Sequence, residues 1–195
     1  PDLQHEHDLL IQGAGTIIVV EAKASPPTEP FRDPSMAYER ISRAFRSKKG
    51  IQHAYHQGRQ VWRRWKSGEA VQLFDSSGEL VLEFDSSTVK EVFIVCLTRD
   101  DYGSIAVDLA RLLEKETGEP YPWAINIVDL EALGDAWMYF GWGSEQLLKY
   151  VRERIKLHGH VLSSDELEIA GCFIKHGGLD KITENLDGLI HLDPD

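Results

Sequence analysis

The chain has 195 residues, 42% hydrophobic and 27% charged, the balance of one ordinary globular domain with ample material for a core. A net charge of −11 repels nucleic acid and anionic membranes unless the basic residues are gathered in one place, and no apolar run approaches the roughly 18 residues of a membrane span. Two cysteines, Cys96 in an apolar run and Cys172 in a helical pattern, exclude a disulfide framework and a cysteine zinc site, so the expectation is a soluble, cytoplasmic protein with buried thiols.

The sequence begins at Pro1 and enters a strand-like pattern almost at once, which predicts an upstream portion of chain. Leu3 to Gln12 and Thr16 to Ala24 read as strands joined across Gly13-Ala14-Gly15, a hairpin spacing. The four prolines between Ser25 and Pro34 make a loop, and Asp33-Pro34 opens a helix. From Ser35 to about Lys66, apolar residues recur at three- and four-residue spacing, with Gly50 as a possible break. Val71 to Phe74 and Leu80 to Phe84 flank Asp75-Ser76-Ser77-Gly78 as a second hairpin. Val89 to Thr98 reads as a buried strand, Ser104 to Thr117 as a helix and Trp123 to Val128 as a further strand. Beyond Asp129 the pattern is helical throughout, near Leu130 to Trp137, Ser144 to His158 and Ser164 to Lys175. The expected division is a core over residues 1–129 and a helical C-terminal lobe over 130–195 that covers one face of the sheet.

Alternation along the second strand places Ile17, Val19, Glu21 and Lys23 on one face, so two opposite charges share the end of an apolar strand. The partner strand brings Asp8, within Glu6-His7-Asp8, opposite or diagonal to them. Charge in so apolar a segment is costly unless paired or bound to metal. Two arrangements compete. One is an ion pair of Lys23 with Glu21 or Asp8 where water still reaches. The other is a metal site in which Asp8, Glu21 and the Ala22 carbonyl hold Mg²⁺ or Mn²⁺, with Lys23 orienting or deprotonating the attacking water.

These residues resemble the PD-(D/E)xK nuclease superfamily: an acidic residue at Asp8, Glu-x-Lys at Glu21 and Lys23 on the next strand, and a long helix with glutamines. The resemblance covers roughly Leu3 to Trp65 plus the strand at Val89 to Thr98. It implies an α/β fold with a mixed central sheet flanked by helices, restriction-endonuclease-like, under a helical C-terminal cover. It implies a divalent-metal-dependent nuclease acting on DNA, and places the family's helix glutamine on Gln57 or Gln52. The family usually has a further helix with a glutamate and one more strand before the first acidic residue, and neither stands before Asp8. Some family members have lost activity, so a catalytically inactive module that binds DNA or a protein through its basic helix is the alternative.

Charge segregation supports a phosphate footprint. Met36 to Lys66 carries nine Lys/Arg against Glu39 alone, a local +8 that leaves −19 for the other 164 residues. Arg59, Arg63, Arg64, Lys48 and Lys49 are the candidate nucleic-acid contacts, with Arg59 and Arg63 foremost; such a basic helix could equally dock acidic partners, an upstream domain or the rest of this chain. His5 with His7, and His53 with His56, have spacings that could hold a transition metal but lack further ligands. Trp62 and Trp65 fall on the helix's apolar stripe as core residues. His158-Gly159-His160 reads as a helix end whose imidazole complements the dipole.

Overall fold

A computed structural model describes residues 6–24, 34–183 and 189–192. The start of the expected first strand at residues 3–5, including His5, and the proline-rich loop with Asp33 lie outside these residues. Strands β1 (Leu9–Gly13) and β2 (Thr16–Lys23) form an antiparallel hairpin in which Gly13 pairs with Thr16. Ala14 and Gly15 alone make the turn, at φ 51° and 76°, the left-handed pair whose twist matches the flanking strands. β1 is shorter than its sequence pattern because the chain bends at Asp8 before entering the ladder.

Helices α1 (Pro34–Arg46) and α2 (Ile51–Lys66) are separated at Gly50, where a Cβ would lie 2.2 Å from the Phe45 carbonyl oxygen; glycine is the residue that lets the chain turn so closely on itself. An outlying antiparallel hairpin, β3 (Val71–Phe74) and β4 (Leu80–Phe84), leads into β5 (Glu91–Thr98), which runs parallel to β2. After α3 (Ser104–Val107) comes β6 (Trp123–Asn126), parallel to β5, then α4 (Ile127–Tyr139) and α5 (Ser144–Arg154). The tail continues through β7 (Val161–Leu162), α6 (Glu166–His176), α7 (Asp180–Thr183) and β8 (Ile190–His191).

The fold is therefore α/β, with a mixed four-stranded sheet in the order β1-β2-β5-β6 and helices on both faces. Alternation along β2 and β5 divides the core. Ile17, Val19, Ile94 and Cys96 pack under α2, and Val20, Phe93 and Val95 pack under the C-terminal helices with Trp137, Tyr150 and Phe173. Each such aliphatic side chain withdrawn from water contributes about 1.5–3 kcal/mol. Trp62 and Trp65 join the α2 side, as expected, with the Trp65 indole donating to the Val89 carbonyl at 2.9 Å. No helix among the described residues is long and apolar enough to cross a membrane.

A buried ion pair joins α5 to α6 within the cover, and the Trp123 indole of β6 ties it to the sheet. Arg154, fully buried on α5, donates from Nε to both Glu166 carboxylate oxygens at 3.0 and 2.9 Å; Glu166 also accepts from Tyr150 and Trp123. This pair explains one departure from the sequence pattern. The helix expected over Ser104 to Thr117 stops at Val107 because Arg154 takes the Val107 carbonyl and the Leu109 amide donates to His158 Nδ1, leaving only a 3-10 turn at Leu109–Arg111. His158 is itself a correction. It is 4% exposed, and burial followed by the nearby Arg154 charge pushes its pKa well down, so it is a neutral core acceptor rather than a cation at a helix end. The tail is not helical throughout either, since β7 and β8 pair in parallel. Asn126 ends β6 by capping α4, accepting from the Asp129 amide at 2.8 Å, which turns Ile127 and Val128 from strand to helix.

Candidate active site at the end of strand β2

β2 lies inside the sheet, with β1 on one side and β5 on the other, so its backbone is held on both edges. Its last residues stand at the C-terminal edge of the parallel strands, where Lys23 pairs with Thr98 and Thr98 with Asn126. Crevices at this edge are the usual ligand sites of open α/β sheets. Glu21 is completely buried. Its Oε1 lies 2.6 Å from His7 Nδ1, while its Oε2 is buried with no hydrogen-bond partner and lies 3.9 Å from Lys23 Nζ. Asp8, exposed at the entry to β1, accepts the Ala22 amide on Oδ2 at 2.7 Å. The hairpin thus sets Asp8 against the Ala22 backbone and Glu21 beside Lys23.

Lys23 makes its short contact elsewhere. Its Nζ donates to Gln57 Oε1 at 2.8 Å; of the two ion pairs the sequence allows, the one with Glu21 is present at 3.9 Å, and among the described residues none joins Lys23 to Asp8. Gln57 reaches it because α2 approaches the sheet closely at Gly58, where a Cβ would stand 2.6 Å from Ile94 Cγ2. Gln52, the other candidate glutamine, is not at the site. It is 4% exposed and is consumed by the main chain of Glu114, donating from Nε2 to the carbonyl and accepting the amide on Oε1, each at 2.8 Å.

The structure pairs the foremost arginine candidates with acidic residues of the same chain. Arg59 Nη1 lies 3.3 Å from Glu119, and Arg63 binds Glu119 through Nε at 2.5 Å and Glu116 through Nη2 at 2.6 Å. Glu119 also accepts the Tyr55 hydroxyl at 2.9 Å and the Glu116 amide at 3.0 Å. Burial pushes the Glu119 carboxyl up, but these donors and the arginine charges outweigh it and hold its pKa at about 2. The two arginines therefore serve this chain's own fold, the acidic-partner reading of the basic helix. Arg64, Lys48 and Lys49 remain exposed, and no ion pair engages them among the described residues. Lys48 and Lys49 precede α2, whose first residue, Ile51, has its carbonyl 3.9 Å from Cys96 Sγ, the strand partner of Glu21; they stand at the site end of the sheet.

The geometry makes two further residues prominent: His7, which the sequence offers only in a pair with His5, and Glu119, which it does not single out. Hairpin register was the signal for His7, because a two-residue turn carries His7-Asp8 to the level of Glu21-Ala22. Nothing local announced Glu119. Among the described residues, no group of three or more His, Cys, Asp or Glu side chains is arranged to hold a metal ion. The donors that could hold one are two carboxylates and the Ala22 carbonyl, and Glu21 Oε2, which accepts no hydrogen bond, is the kind of oxygen a hard cation takes. Mg²⁺ is commonly bound by one or two carboxylates plus waters and phosphate oxygens, so this set fits it. No family model matches the chain, and neither the curated proteins nor the solved structures include a significant match.

Proposed function

We propose that this chain is a divalent-metal-dependent nuclease that hydrolyses phosphodiester bonds of DNA, on a restriction-endonuclease-like core. The observation that carries the reading is Glu21: a fully buried carboxylate whose Oε2 accepts no hydrogen bond and faces only the Lys23 ammonium at 3.9 Å, while that ammonium makes its hydrogen bond to Gln57. A buried acceptor without a hydrogen bond costs about 1–3 kcal/mol, which the Lys23 charge offsets only in part, and a bound cation would satisfy that oxygen. Asp8, Glu21 and the Ala22 carbonyl would hold Mg²⁺ or Mn²⁺, which when bound polarises a phosphate oxygen and acidifies water. Gln57 fixes the Lys23 ammonium, which faces the attacked phosphate, offsets its charge, and holds or passes a proton at Nζ. Lys48, Lys49 and Arg64 supply backbone contacts that position DNA without reading bases, so little sequence preference is expected. The alternative is an inactive module docking through α2; pairing of Arg59 and Arg63 with Glu116 and Glu119 removes the same two contacts from either reading.

The test is plasmid DNA incubated with Mg²⁺ or Mn²⁺ and the wild-type chain, Asp8→Ala or Lys23→Ala. Wild type nicks or linearises the plasmid, and each variant loses on the order of 100-fold or more in rate. Equal cleavage by all three would assign the activity to a contaminant.

A further inference from the structure

We infer that His7 is a positioning residue for cation binding, holding one oxygen of Glu21 so that the other is the one presented to the metal. The inference rests on the reading of Glu21 as a metal ligand and adds a residue to it. As a metal ligand Glu21 is a carboxylate that only accepts hydrogen bonds, and the 2.6 Å contact with its Oε1 then assigns the proton to His7 Nδ1. The ring is 11% exposed and the carboxylate fully buried, so water does not compete well for this bond. Donation to Oε1 removes the carboxylate's choice of rotation and leaves Oε2, on the side of Lys23, as the oxygen that accepts no hydrogen bond.

The neighbouring residue completes the device. Asp8 accepts the Ala22 amide while His7 donates to Glu21, so two successive residues grip two successive residues of β2. One hairpin arm therefore delivers both a carboxylate and the group that orients its partner. Ligating carboxylates that are themselves hydrogen-bonded commonly lose 10–100-fold in metal affinity when that outer bond is removed.

The experiment measures Mn²⁺ affinity of the full chain by calorimetry at neutral pH, with folding checked by circular dichroism. His7→Ala removes the ring, His7→Phe keeps a ring but removes the donor, and His7→Asn places an amide nitrogen on Cγ where Nδ1 stood. Wild type should bind one Mn²⁺, His7→Ala and His7→Phe should bind 10–100-fold more weakly, and His7→Asn should recover most of the loss. Glu21→Gln should abolish binding. Wild-type affinity in the Ala and Phe variants overturns the role of His7 and leaves the metal reading standing. An Asn variant as weak as the Ala variant also overturns it, because donation would not be the cause. A wild-type chain that binds no Mn²⁺ overturns the metal reading and this inference with it.

Discussion

Replacing Glu119 by glutamine removes the one carboxylate shared by Tyr55, Arg59 and Arg63, and its pKa sets the expected cost. The native carboxyl sits at about 2 against an ordinary 4.5, a gap worth roughly 3 kcal/mol of folding stability. The side chain is 5% exposed, so solvent screening takes little from this figure. Because the native pKa is the lower one, the unfolded chain binds the extra proton. The contribution is whole above pH 4.5 and is lost as pH falls towards 2. Urea unfolding of wild type and Glu119→Gln at a series of pH values should show a gap of about 3 kcal/mol at pH 7 that shrinks by more than half at pH 3. A gap that stays constant across that range would refute the reasoning, since charge on Glu119 would not be what holds the arginines.

Glu166→Gln leaves the buried Arg154 without a counter-charge and should cost about 3–5 kcal/mol in urea unfolding; replacing both partners by apolar residues of similar volume should recover much of it. His158 has a pKa pushed down by burial, so its neutral form is the native one. Its contribution is whole above the ordinary value of 6.5 and is lost as pH falls below it, so the wild-type melting temperature should drop more steeply than that of His158→Gln. On duplex DNA in chelator, removing Lys48 and Lys49 together should lower the log–log salt slope by about 1.8, whereas removing Arg59 and Arg63 should leave it unchanged.

The strand carrying Glu21 and Lys23 was legible in the sequence because alternation is a property of the strand itself, and a buried charge on such a face stands out. Gly50 was legible for the same reason, as a break in a helical period. The choice between Gln57 and Gln52 was not, because both flank the apolar stripe of α2 and the matter is decided by Glu114, 62 residues beyond Gln52. Composition showed that positive charge was gathered on the α1–α2 segment. It was blind to Glu116 and Glu119, which the β5–β6 connection lays against α2. The helix expected over Ser104 to Thr117 failed through the same blindness. Its local pattern is helical, but Arg154 and His158, some fifty residues further on, claim two of its backbone groups.

The hairpin that builds the site also splits it between two regimes of protection. Glu21 belongs to a strand flanked on both edges, whereas His7 and Asp8 hang from β1, the outermost strand, with Leu9 and Ile11 about half exposed. Edge segments with little buried surface open at lower free energy than the strands they flank. Peeling of β1 therefore withdraws Asp8 and His7 together while Glu21, Lys23 and Gln57 stay in place. The Ala22 amide hydrogen, held by the Asp8 side chain, becomes free to exchange at that moment, so its exchange rate reads how often the assembled site comes apart without the protein unfolding.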